Sequence, residues 1–243
     1  MRLKGLEPLA RSLEGCRSIQ LSYRRANASE YTWAWENPRP MRDILIATQN
    51  RDKLREIEGL ISGLRFRFVI PRDLGIEDSP EETETTFLGN ARLKASHYAQ
   101  RSGLPAVADD SGLSIDAMNG EPGVYSSRFC GENATYPQRF EEIWRRLSGV
   151  PEAQRTARFT CAVVMVVSED VVFETEQHVQ GLIASSPRGI HGFGYDPIFF
   201  HPPSGCTTAE LPRHRKDAIS HRGQAFARLR GFLEALGQGG SRP

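Results

Sequence analysis

The chain has few cysteines, no marked excess of either charge and no long apolar run. Its four cysteines, Cys16, Cys130, Cys161 and Cys206, lie too far apart for a CxxC pair or a zinc knuckle. Reduced, structural thiols are therefore expected. Lysine and arginine total 31 against 30 aspartates and glutamates, a formal net charge of +1. A nucleic-acid coat would show a basic excess, so that class is disfavoured. A nucleotide pocket needs only a few local cations and stays open. The longest strongly apolar stretch, Cys161 to Val167, falls far short of the roughly 20 residues that cross a bilayer. Residues 1–40 lack the apolar segment of a secretory signal, and Glu7, Glu14, Glu30 and Glu36 stand where transit peptides avoid acids. A cytoplasmic protein with neither membrane nor nucleic acid as partner is the expectation.

What is present is globular: 39% hydrophobic and 25% charged residues in 243. That length suits one domain plus an appendage. Residues 1–40, with Trp33, Trp35 and a Pro38-Arg39-Pro40 stop, are expected to be a loosely ordered extension. Residues 41–238 read as the functional domain and 239–243 as a flexible tail. From Met41 the pattern is α/β. Ile44 to Ala47 suits a strand buried on both faces. Leu54, Ile57 and Ile61 then recur at helical spacing. Phe66 to Ile70 reads as a second strand. An acidic loop over 71–86 leads to a helix from about Phe87, capped by Thr85 or Thr86. A strand from Pro105 is expected to end at Asp109-Asp110-Ser111-Gly112. A helix follows near Tyr136, then two β-rich stretches around Ser168-Glu169-Asp170, then a last helix from about Arg222. The fold class expected is α/β: a mixed central sheet flanked by helices.

Five segments carry possible chemistry. Thr48, Gln49, Asn50, Arg51, Asp52 and Lys53 join a buried strand to a helix, with Asn50 at the N-cap and Lys53 in the first turn. Free N–H groups and the helix dipole favour an anion there, although such turns are also common as plain structure. Asp109 and Asp110 face opposite ways on a strand, so one carboxylate can meet Mg²⁺ while the other holds the loop. An Asx-type turn explains them equally well. Glu81-Glu82 offers a second carboxylate, or only solvated charge, and Asn90 and Lys94 share one helix face. Gly192 to Pro197 brackets Phe193, which can stack on a base or pack as a turn. Lys216, Ser220, His221 and Arg222 open the last helix, where His and Arg can donate to a purine carbonyl.

Taken together, these segments resemble the inosine triphosphate pyrophosphatase family, from Ile44 to about Ala227. The match runs through Ile46-Ala47-Thr48-Gln49-Asn50 with Lys53, Pro80 to Ala95 and Ala108 to Leu113. It continues through Gly123 to Arg128, Gly192 to Phe200 and Ile219 to Gln224. The resemblance implies a homodimer, two lobes with a nucleotide cleft between them, Mg²⁺ as cofactor, and hydrolysis of ITP, dITP and XTP to the monophosphate and pyrophosphate. It makes Asp110 the catalytic carboxylate and a metal ligand, with Glu81 as the second. Thr48 to Lys53 and Ser111 would hold phosphate or sugar. Phe193, Gly194, Tyr195, Asp196, Lys216, His221 and Arg222 would form the base side. Two positions depart from the family, which usually has glycine where Gln49 stands and glutamate where Gly89 stands. Other readings are a pyrophosphatase for pyrimidine or modified nucleotides, and a nucleotide sensor without catalysis.

Overall fold

The computed structural model describes residues 42–238. The expectations for residues 1–40 and 239–243 lie outside these residues. The sheet has seven strands in the order β2-β1-β3-β4-β5-β6-β7. Strands β1 (Arg42–Ile46), β2 (Phe66–Val69) and β3 (Ala106–Ile115) run parallel. Strands β4 (Thr156–Val167), β5 (Asp170–Ile183), β6 (Phe199–His201) and β7 (Cys206–Thr207) continue antiparallel from β3. Among the described residues, five α-helices flank the sheet: α1 (Arg51–Ile61), α2 (Phe87–Ser102), α3 (Tyr136–Arg146), α4 (Arg213–Ile219) and α5 (His221–Gln238). This is the mixed α/β sheet that the sequence pattern implied.

Strand β1 is apolar on both faces because it is covered on both; Ile44 and Leu45 are fully buried. Its C-terminal end turns into α1 through Asn50, whose side chain accepts from the backbone N–H groups of Asp52 and Lys53. That satisfies two of the four orphan donors of a helix start. Thr86 caps α2 by accepting from Gly89. The short α4, which the sequence pattern did not reveal, precedes the last helix. Ser220 ends α4 and caps α5, its hydroxyl accepting from Gly223 N–H at 3.0 Å.

One expectation is corrected. The Asp109–Gly112 segment does not end a strand. It lies inside β3 and pairs with β4 throughout, Asp109 opposite Val163 and Gly112 opposite Thr160. The physical reason is on the other edge of β3. Strand β1 stops pairing at Ile46 opposite Val107, so beyond Val107 the parallel side of β3 opens. Polar side chains are tolerated in mid-strand because they enter that opening. Two apolar clusters flank it. One joins Leu45, Ala95, Tyr98, Ala108 and Val164; the other joins Leu113, Phe140, Ile143, Phe159 and Phe199. Strands β3 and β4 cross from one cluster to the other, and Asp109 to Gly112 fall at the crossing.

Candidate active site

Alternation along β3 sends its two aspartates to different partners. Asp109 is buried and lies 3.0 Å from Lys53 Nζ and 3.4 Å from Arg222 Nη2. Burial alone would raise its pKa, but Lys53, Arg222 and Lys94 outweigh it and hold the carboxyl well below the usual range. Asp110 faces α2, where Lys94 Nζ lies 2.8 Å from its Oδ1 and Asn90 Nδ2 lies 3.4 Å from its Oδ2. Burial raises the Asp110 carboxyl, and the Lys94 and Lys53 ammoniums only partly offset it. A carboxylate with a raised pKa is suited to taking a proton.

Lys94 also lies 2.8 Å from Glu82 Oε1, and Arg128 Nη1 lies 3.1 Å from Glu82 Oε2. Burial disfavours the Lys94 charge, but Asp110, Glu82 and Asp109 hold its pKa well above the ordinary lysine value. Glu82 and Asp110 oxygens therefore converge on one cation. Glu81, the neighbour singled out in the sequence, is exposed. Among the described residues, no three His, Cys, Asp or Glu side chains gather into a metal-holding group. Two hard carboxylates fit a magnesium ion, which takes one or two protein ligands and completes its shell with water and phosphate oxygens.

On the far side of Asp109, Arg222 donates to Ser111 Oγ at 2.8 Å and to Glu56 Oε2 at 2.6 Å. Glu56 also accepts from Lys216 at 2.6 Å, and Lys216 reaches Asp196 Oδ2 at 2.5 Å. Asp196 in turn accepts from Phe193 N–H at 2.8 Å. This chain of charges ties the Lys53 turn to the Phe193 loop. Glu56 is buried in the middle of it and was missed in the sequence, where it reads as one more charge on α1.

A narrow cleft is lined by Asn50, Lys53 and Ser111 together with Phe193, Lys216 and His221. Arg222, Gly194, Tyr195 and Asp196 border it too. Phe193 is half-buried, with Lys216 Nζ 5.4 Å and Arg222 Cζ 5.5 Å from its ring centroid. His221 stacks on Phe159 at 4.7 Å. Burial, with Arg222 and Lys216 nearby, pushes its pKa well below 6.5, so it is neutral. His221 Nδ1 and Arg222 Nε are buried without a hydrogen-bond partner. Such groups are costly unless something pairs with them.

Not every candidate residue joins the cleft lining. Arg51 is exposed, and Asp52 pairs with Arg55 at 2.9 Å. Thr48 Oγ1 accepts from Asn50 N–H at 3.2 Å, steadying the turn. Gln49 reaches away, donating to Glu77 O at 3.1 Å and Tyr98 Oη at 3.3 Å. Tyr195 lends its hydroxyl to Ser126 O at 2.8 Å, so only its ring contributes to the wall. Cys130, Cys161 and Cys206 are free thiols. No helix among the described residues is long and apolar enough to cross a membrane.

A mixed sheet opened beside β3, with Lys53 anchored on Asp109 and unpaired buried nitrogens on His221 and Arg222 in one cleft, is the α/β frame that this chain shares with nucleoside triphosphate pyrophosphatases, a class of hydrolase. A family model described as the Ham1 family matches residues 44–232, and the chain belongs to that family. It is 46% identical over 201 residues to a dITP/XTP pyrophosphatase of Shigella flexneri, spanning 82% of this chain and 100% of that one. A dITP/XTP pyrophosphatase of Escherichia coli K12 is 45% identical over the same spans. Among solved structures, a HAM1 protein from Coxiella burnetii aligns with TM-score 0.74 at 42% identity, covering 80% of this chain and 100% of its own.

Proposed function

We propose that the protein hydrolyses non-standard purine nucleoside triphosphates, ITP, dITP and XTP, to the monophosphate and pyrophosphate. The observation that carries this reading is the division of labour on β3: Asp109 anchors Lys53 while Asp110 faces Lys94 and Glu82. The names of the relatives support the substrate class.

One water is consumed, and the bond between the α-phosphorus and the bridging oxygen breaks. Asp110 orients the water and takes its proton. Lys53 and the open N-terminus of α1 hold the departing pyrophosphate and stabilise its charge. Ser111 and Asn50 border the sugar and phosphate. Asp110 and a glutamate of the acidic loop would hold the metal, and the geometry supports Glu82 over Glu81 for that place. When bound, Mg²⁺ neutralises charge on the phosphate oxygens.

At the other end, hypoxanthine and xanthine present a 6-oxo acceptor, whereas adenine presents a 6-amino donor. Arg222 Nε–H and the neutral His221 ring are buried groups in search of a partner. A donor from this pair matches the 6-oxo group and leaves an unpaired clash with adenine, a mismatch that can discriminate by about 10⁴ when buried. We further propose a homodimer acting in the cytoplasm, which size-exclusion chromatography with light scattering and cell fractionation check separately. A panel of ITP, XTP, dITP, GTP and ATP with Mg²⁺ and pyrophosphate detection tests the activity. ITP and XTP are expected to be cleaved fastest. Faster cleavage of ATP than of ITP would overturn the reading.

A further inference from the structure

Tyr136 was not among the residues that the sequence singled out, yet it lines the cleft together with Phe193, Gly194 and Lys216. It is the first residue of α3, whose start is fixed by a reciprocal cap between Thr135 and Gln138 and by Pro137 in the first turn. Its ring meets Tyr195 edge to face at 5.3 Å and Phe140 at 6.2 Å. The Arg139 guanidinium lies 4.9 Å from its centroid. These contacts hold the ring rigidly.

Its position relative to the Phe193 loop is equally defined. Gly194 has φ +67°, a backbone that favours glycine, and a Cβ built there would lie 3.5 Å from Tyr136 Oη. That is ordinary van der Waals distance, so the loop backbone runs close beside the phenol without pressing on it. Burial raises the phenol pKa and outweighs Arg139, which lowers it through its charge and a hydrogen bond to the phenol, so the hydroxyl keeps its proton at neutral pH. Among the described residues it donates to no acceptor. A rigid aromatic face with a proton to give is suited to a nucleoside, which offers a π-face and several oxygen acceptors.

We propose that Tyr136 is a substrate-binding residue that contacts the nucleoside half of the triphosphate, its ring against the base or sugar and its hydroxyl donating to one of their oxygens. This rests on the pyrophosphatase reading above. Lys53 and Asp110 serve the phosphate tail; Tyr136 serves only the other end.

The test compares Tyr136→Ala and Tyr136→Phe with the unaltered enzyme, using two probes that separate the ends of the cleft. IMP probes the nucleoside side, with its binding measured by calorimetry. Inorganic tripolyphosphate probes the tail side, as an inhibitor. Tyr136→Ala is expected to weaken IMP binding and raise KM for ITP by about tenfold, with a smaller change in kcat. Tripolyphosphate inhibition should stay within about twofold. Tyr136→Phe keeps the ring and should lose about threefold, which preserves the test if the alanine variant folds poorly. IMP binding within twofold of the unaltered protein in both variants would overturn the proposal. So would an equal weakening of IMP and tripolyphosphate, the signature of a disturbed fold. IMP binding needs no turnover, so failure of the unaltered enzyme to release pyrophosphate would count against the reaction and not against Tyr136.

Discussion

Lys53 Nζ lies 3.0 Å from Asp109 Oδ2, and the Asp109 side chain is fully buried. The lysine at the phosphate turn is thus aimed by the first aspartate of β3, not by the one assigned to chemistry. Asp109→Asn would remove the counter-charge of Lys53 and weaken the hold on Arg222, which keeps Glu56. Because Lys53 can still reach water, the cost should sit at the low end for a broken buried pair, about 3 kcal/mol. For a domain of this size that lowers Tm by roughly 6–12 °C. Thermal melts check this; an unchanged Tm would show that the pair contributes nothing.

Asp110→Asn should behave in the opposite way. The amide keeps the shape of the side chain but loses the ion pair with Lys94; because Lys94 retains Glu82 and burial already disfavours the Asp110 charge, the melting temperature should fall less than in Asp109→Asn. Loss of the proton acceptor should lower kcat by about 10²–10⁴. Kinetics on ITP at saturating Mg²⁺ separate the two aspartates. Near-normal turnover of Asp110→Asn would remove it from the mechanism.

Glu82 shares Lys94 with Asp110, whereas the adjacent Glu81 is exposed. Glu82→Gln should therefore raise the Mg²⁺ concentration for half-maximal rate by about tenfold, and Glu81→Gln should leave it within about twofold. Mn²⁺ binding followed by electron paramagnetic resonance gives the same comparison without turnover. An effect at Glu81 alone would return the metal role to that residue.

The buried His221 predicts a pH dependence of stability. Its folded pKa lies well below that of the unfolded chain, near 6.5. The unfolded state therefore takes up the proton first as pH falls. The contribution is fully present above about pH 6.5 and is lost below it, at up to roughly 1.4 kcal/mol per pH unit. His201, also lowered by burial, acts in the same direction. Urea unfolding of His221→Gln between pH 7.5 and 5.5 should show a shallower loss than the unaltered protein. Equal slopes would mean that His221 titrates alike in the folded and unfolded states and contributes nothing to the pH dependence.

The elements legible in the sequence were those with local causes. Asn50 and Thr86 cap helices through their own side chains, and the apolar run at Ile44–Ala47 needs no partner to be recognised. The long reach of β3 was not legible. Asp109 and Asp110 look like a strand end, and only the antiparallel pairing with β4, some 50 residues further on, carries the strand past them. The choice between Glu81 and Glu82 depends on where Lys94 falls, again a distant contact. Glu56 and Tyr136 carry no motif; their burial and pocket position arise from packing against α4, α5 and the Phe193 loop.

The central claim is that water cleaves between the α and β phosphates while Lys53 holds the tail and Asp110 takes the proton. Phosphorus NMR of ITP turnover with Mg²⁺ tests it most directly. The account predicts IMP and inorganic pyrophosphate in equal amounts from the first turnover onward. Release of IDP and orthophosphate instead would contradict it.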